Sequence, residues 1–215
     1  MSQTNSRDNI FRKIRQALSN KGSSMPEPNF TQPIYSKPEE KDLTVVFAEN
    51  FVKNKGEFFY CENEMEFFKA FHLFLKTKGL EKVYTWEKDL IKFLEEGDIK
   101  TLTSDSNFTN AQAGVTTCES LIARTGSILV SSGSESGRRL GIFPHAHIII
   151  AFSSQIVEDI KDGFAVLSKR YKKDLPSMIS LETGPSRTAD IEKTLVLGAH
   201  GPKDLILFLI DDTSA

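Results

Sequence analysis

Apolar and polar positions in the first stretch of the chain recur at helical spacing. Ile10, Ile14, Ala17 and Leu18 fall on one stripe of residues 6–18, with Arg and Lys elsewhere, which predicts an amphipathic helix. Such a face packs on its own domain or receives a partner, and packing on the domain is the simpler expectation. The pattern then breaks. Pro26, Pro28, Pro33 and Pro38 fix φ and remove backbone donors, so residues 21–41 read as an extended connector. From residue 42 onward helix-period and strand-period segments alternate. LTVVFAENFVKN (43–54) predicts a helix, EFFYC (57–61) a strand, and Asn63 caps a helix through Lys78 with Phe67, Phe71 and Leu75 inward. KVYTW is a strand, and EKDLIKFLEEG is a helix stopped by Gly97.

SILVSS (127–132) and HIIIAF (147–152) are near-continuous apolar runs, the pattern of strands buried on both faces. Residues 153–171 predict a helix capped by Ser153 or Ser154, and SMISLE (177–182) and LILFLID (205–211) predict further strands. Residues 188–197 read either as a helix with Gly198 at its end, or as a strand TLVLG pairing with LILFLID. The alternation predicts an α/β fold: three layers, with a mostly parallel sheet carrying helices on both faces. The divisions are a helix over 1–20, a connector over 21–41 and one domain over 42–215. Ligands in such sheets bind beyond the carboxyl ends of the strands, so loops after strands rank first for function.

Composition narrows the function classes. The chain has 215 residues, enough to bury a sizeable core, and a formal charge of −2 from 27 basic and 29 acidic side chains. No single-sign field suits nucleic acid. The N-terminus lacks the apolar core of a secretory signal, and no apolar run approaches the roughly 20 residues that span a bilayer. These features predict a cytoplasmic protein. The two cysteines, Cys61 and Cys118, form no CxxC and cannot by themselves ligate a typical iron–sulfur cluster. No metal or cofactor is therefore expected on this chain alone.

Four segments carry candidate chemistry. The first is Thr183–Glu192 after SMISLE. Gly184 permits a tight turn, Ser186 or Thr188 would cap a helical turn that favours an anion, and the Arg187 fork matches a carboxylate. Asp190 and Glu192 would orient Arg187 or act as base or acid; the plainer alternative is a capped turn with a surface ion pair. The second is the hydroxyl-rich loop Ser131–Arg139, in which Arg139 is the anion-binding candidate and free solvent exposure the alternative. The third is His145 with His147, which period-2 geometry would place on one face as a metal pair. A third ligand is not apparent there, and a polar structural role is the stronger expectation. The fourth is His200, a candidate general base, with Thr125 in the IARTG segment a further site candidate.

Taken together, AGVT (113–116), IARTGSILV (122–130), Arg139-Leu140, Pro144 with His147-Ile148, GPSRTADIE (184–192) and LVLGAHGP (195–202) resemble the LUD domain family, in its lactate utilization protein C branch. The resemblance is strong over residues 110–211 and adds little over 20–110. It implies a sheet of the sugar-phosphate isomerase, CoA transferase and formyltetrahydrofolate cyclo-ligase kind (NagB/RpiA/CoA transferase-like). It also implies membership of a system that oxidises L-lactate to pyruvate. Cysteine-rich and iron–sulfur proteins would be the partners and carry the clusters, and a small carboxylate would be the ligand. Asp190, Glu192 and His200 then become the proton-handling candidates. Gly184, Ser186, Arg187, Thr188, Arg139 and Thr125 become the anion-binding ones. Two alternatives stand beside this expectation. One is a free-standing enzyme on an anionic or CoA-linked substrate, with Glu182 as nucleophile; the other is a non-catalytic anion-binding scaffold.

Overall fold

The computed structural model describes residues 6–19, 42–104, 108, 111–191, 194–197 and 201–213. The chain divides into two units, residues 1–39 and 40–215. In the first, helix α1 (Ser6–Ser19) forms where the apolar stripe predicted it.

The second unit is built on a five-stranded parallel sheet. Its order is β1 (Glu57–Cys61), β11 (Asp204–Ile210), β6 (Ala146–Phe152), β3 (Ala113–Thr116) and β2 (Val83–Tyr84). The two central strands, β6 and β11, are the apolar runs HIIIAF and LILFLI, and both of their faces are covered. On one face lie helices α3 (Glu64–Lys78) and α4 (Lys88–Glu96). Phe67, Phe71, Phe74 and Leu94 pack there on Val115, Ile148 and Phe208. As predicted, Asn63 caps α3, its side chain accepting from the Glu66 N–H at 3.0 Å. On the other face, Phe47 and Phe51 of helix α2 (Leu43–Lys53) meet Ile149, Leu207 and Leu209. The mostly parallel sheet with helices on both sides is thus the observed fold.

A second sheet was not foreseen. It runs β7 (Ile156–Val157), β4 (Ser120–Ile122), β5 (Ser127–Ser131), β8 (Ile179–Glu182), with β5 antiparallel to β4 and β8. SILVSS and SMISLE, read above as members of the parallel sheet, belong here instead. Residues 153–171 are not one helix: a single 3-10 turn (Ser153–Gln155) and β7 precede helix α5 (Ile160–Tyr171). For residues 188–197 the helix does not form; TLVL is a strand, as the other expectation had it, but LILFLID is not its partner. β9 (Arg187–Ile191) and β10 (Thr194–Leu197) form their own antiparallel hairpin. Among the described residues no helix is long and apolar enough to cross a membrane.

The true cap of α5 is Asp159. Its carboxylate accepts the Ile160 N–H and a 2.8 Å hydrogen bond from Arg124, and the Asp162 side chain accepts the Asp159 N–H. The bond from Arg124 holds the Asp159 carboxyl below its usual range, against a smaller opposing effect of burial. A carboxylate with a depressed folded pKa stabilises above its unfolded value and loses that contribution as pH falls through the folded one. Asp159→Ala is therefore expected to cost about 1–2 kcal/mol near pH 7. Urea unfolding at a series of pH values should show the gap to the parent narrowing below about pH 4.

Candidate functional site

The layer between the parallel sheet and the smaller one is not uniformly apolar. Along β6, His147 shares its face with Ile149 and Ala151, which packs toward the second sheet. On the neighbouring strand Thr116 pairs with Ile149, so it stands diagonally from His147 on the same face. From the second sheet Glu182, the last residue of β8, reaches across. The result is a chain of three side chains. His147 Nδ1 lies 3.0 Å from Glu182 Oε2, and His147 Nε2 lies 2.9 Å from Thr116 Oγ1. His147 is 1% exposed.

The hydrogen-bond inventory of this chain fixes what it can do. An ionised carboxylate only accepts, so Nδ1 of His147 carries a hydrogen toward Glu182. Two arrangements then satisfy every group. In one the ring is neutral and Nε2 accepts from the Thr116 hydroxyl. In the other the ring is an imidazolium donating to Thr116 Oγ1, and the hydroxyl turns to donate to the Thr117 carbonyl, 3.0 Å away. They differ by one proton at Nε2. The centre can accept or release a proton without moving a heavy atom. Beside it lies a small cavity of about 40 Å³, lined by Thr116, Ser131, Ser136, Gly141, His147 and Glu182, with room for water.

Two further buried carboxylates frame the cavity. Glu119 accepts from Ser131 Oγ at 2.6 Å, Tyr171 at 2.7 Å and Arg170 at 2.8 Å. Glu87 accepts from Ser136 Oγ at 2.7 Å and from the Thr117 hydroxyl at 2.6 Å. The Ser131–Arg139 loop is thereby tied down at Ser131 and Ser136 rather than left to solvent. Arg138 also donates to Ser177, and the Arg139 guanidinium stacks over Trp86 and Phe108, 5.1 and 4.9 Å from their ring centroids. Burial pushes the Cys118 thiol well up, with Glu119, Glu87 and Glu182 adding to the effect. The Cys61 thiol is pushed up to about 11, again mainly by burial. Neither offers a thiolate near neutral pH.

The remaining predicted site residues fall into separate groups. Gly184 backs onto the Asn54 carbonyl, where a side chain would have no room. Arg187 is exposed and donates to that same carbonyl at 2.7 Å. The Thr125 carbonyl accepts from Asn54 Nδ2 at 2.9 Å, and the buried Thr125 hydroxyl has no partner among the described residues. Gly184, Arg187 and Thr125 thus gather around the end of α2. The Ser186 N–H donates to the Pro202 carbonyl at 2.9 Å, joining the GPSRT segment to the stretch before β11.

Several expectations need correction. Asn54 precedes β1 and Pro202 precedes β11, so the 184–187 loop meets the amino edge of the parallel sheet, not its carboxyl edge. The cause is that β8 belongs to the antiparallel sheet. Ser186 and Thr188 cap no helix, because Arg187–Ile191 is extended. Thr188 and Asp190 lie on β9 with their side chains outside the described set; Glu192 and His200 lie outside the described residues. For His145 and His147 the stronger expectation, polar contacts and not a shared metal, describes what is seen. His145 is exposed, 3.9 Å from Asp204, whereas His147 is buried between the sheets. Thr116 was seen only as part of the AGVT motif and not as a site residue, and nothing connected it with Glu182 and His147.

Comparison with known proteins identifies the family. Residues 45–210 match the model of the LUD domain. A lactate utilization protein C from Geobacillus is 34% identical over 104 residues, covering 47% of this chain and 43% of that protein. The Bacillus subtilis lactate utilization protein C is 33% identical with the same coverage. An uncharacterized protein of Neisseria meningitidis is 36% identical over 103 residues, 48% of this chain and 44% of that protein. The chain therefore spans less than half the length of these curated relatives. The crystal structure of a DUF162 family protein from Deinococcus radiodurans superposes with a TM-score of 0.58 at 19% identity, covering 78% of this chain and 96% of that one. With the motifs, the fold and the family model in agreement over most of its length, the chain belongs to the LUD domain family.

Proposed function

We propose that this chain serves lactate utilization, as a cytoplasmic subunit of a system that oxidises L-lactate to pyruvate. That oxidation releases two electrons and two protons. Neither of the two cysteines of this chain is placed to hold a cluster, so the electrons would leave for iron–sulfur clusters that partner proteins, a cysteine-rich one among them, would carry. The observation that carries this chain's part is the Glu182–His147–Thr116 chain. A 2-hydroxy acid must lose its hydroxyl proton, and His147 is the one described histidine whose ring is both buried and oriented by a carboxylate. His72 is bonded to the Gly97 carbonyl, and His145 is exposed.

The adjoining cavity is smaller than lactate. The substrate would therefore sit on the loop that follows Glu182 and pass its proton through one water. On that loop Arg187, anchored to Asn54 through one amino group, turns the rest of its fork to the carboxylate. Asp190 of β9, together with Glu192 and His200, would complete the grip. Lactate utilization protein C is the name of the relatives matched over the shared segment, and it supports this reading. A covalent CoA-transferase role for Glu182 fits less well, since one of its oxygens is already held by His147.

The test is reconstitution. The chain, its cysteine-rich partner and its iron–sulfur partner, combined with lactate and a redox dye, should form pyruvate and reduce the dye in equal amounts. Omission of this chain should remove the activity. Full turnover by the two partners without it, or by this chain alone, would overturn the proposal.

A further inference from the structure

A second concavity opens at the amino edge of the parallel sheet. It holds about 550 Å³, well within the range of small-molecule sites. It shares no lining residue with the cavity beside His147. Phe74, Leu80, Phe143, Pro144 and Ile206 supply its apolar lining. Phe143 is 59% exposed, one edge-to-face contact with Phe108 at 5.5 Å holding its ring while the rest stays open.

The polar groups at this groove are unequal. Lys78 is engaged by Glu57 at 2.9 Å. Gln112 is spent on the fold, its side-chain oxygen accepting the Glu81 and Lys82 N–H groups at 2.9 and 2.8 Å. Asp204 stands 3.9 Å from His145. Lys203, by contrast, is fixed through its backbone, which donates to the His145 carbonyl at 2.8 Å, and its ammonium makes no ion pair among the described residues. The groove thus combines aromatic walls with an available cation. A positively charged guest would meet Lys203 and Lys78, and a neutral one would leave Lys203 unanswered. A three-carbon acid would leave most of the apolar wall wet.

We infer that this groove is a separate binding site for an organic acid with an aromatic or branched apolar body, its carboxylate on Lys203 and its body against the apolar lining that Phe143, Phe74 and Leu80 supply. The probes are 3-phenylpropionate, its neutral amide and lactate, followed by ligand-observed NMR and calorimetry on the full chain. The acid should bind saturably, and the amide and lactate each more weakly. Lys203→Met changes an exposed residue and should leave the melting temperature in place, Phe143→Ala should lower it slightly through the lost contact with Phe108, and each should weaken the acid about fivefold. Equal binding of acid and amide, unchanged affinity in both variants, or no saturable binding at millimolar concentration would each overturn the inference.

Discussion

His147→Gln is expected to lower lactate-dependent turnover of the reconstituted system by about 100- to 10,000-fold, the range that a positioned acid–base group supplies. Glutamine fills much of the same space and keeps polar contact with Glu182 and Thr116, but it cannot take up and release a proton at the Nε2 position. Because the ring is buried, some stability will be lost too, so a melting curve must accompany the rate. The neighbours separate chemistry from packing. Thr116→Ser preserves the hydroxyl that satisfies Nε2 and should retain most activity. Thr116→Val preserves the shape, leaves Nε2 without its partner, and should lose activity beyond any change in melting temperature. Glu182→Gln should fall between them, because an amide can accept from Nδ1 but cannot balance an imidazolium. Wild-type turnover in a folded His147→Gln protein would remove proton transfer from this centre.

What the sequence discloses and what it hides follow from the range of the interactions involved. Asn63 and the α3 helix it caps were legible because a cap and a 3.6-residue period are local. So were β6 and β11, whose unbroken apolar runs require cover on both faces. Which sheet a strand joins is not local. SILVSS and SMISLE have the composition of central parallel strands, yet β4, β5, β7 and β8 assemble by pairings between distant residues. The start of α5 was misplaced because Ser153 and Asp159 are both good caps. Only the pairing of Ile156 and Val157 with β4 decides between them. The site divides in the same way. The family motifs do come together, Ser186 on Pro202 directly, and Arg187 and Thr125 through Asn54 at the end of α2. The proton-handling chain, however, draws Thr116 from β3, His147 from β6 and Glu182 from a different sheet, and no spacing rule connects them.

Gly126→Ala is expected to destabilise the protein by about 3–5 kcal/mol, and Gly79→Ala by only about 1 kcal/mol, although both glycines are left-handed, with φ of 61° and 64°. Around Gly79 nothing lies within 4 Å of an added methyl, so only the backbone preference is lost. At Gly126 the methyl would stand 2.3 Å from the Phe51 nitrogen and 2.4 Å from the Asn50 carbonyl carbon, both backbone atoms of α2 that no rotamer change can clear. The turn must lift off the helix. That breaks the bonds from the Asn50 side chain to the Ala123 and Arg124 carbonyls, at 3.0 and 3.1 Å, and the bond from Asn54 to Thr125. It also disturbs the buried Phe51 beneath. The displacement reaches the site, because Ser127, next in the chain, is hydrogen-bonded at 2.7 Å to Thr183, the neighbour of Glu182. Gly126→Ala should therefore lose turnover as well as stability, whereas Gly79→Ala should lose neither to any great extent. Urea unfolding of the pair measures the difference directly. A gap under about 1 kcal/mol would mean that the turn is not clamped to α2, and that the IARTG segment owes its glycine to backbone conformation alone.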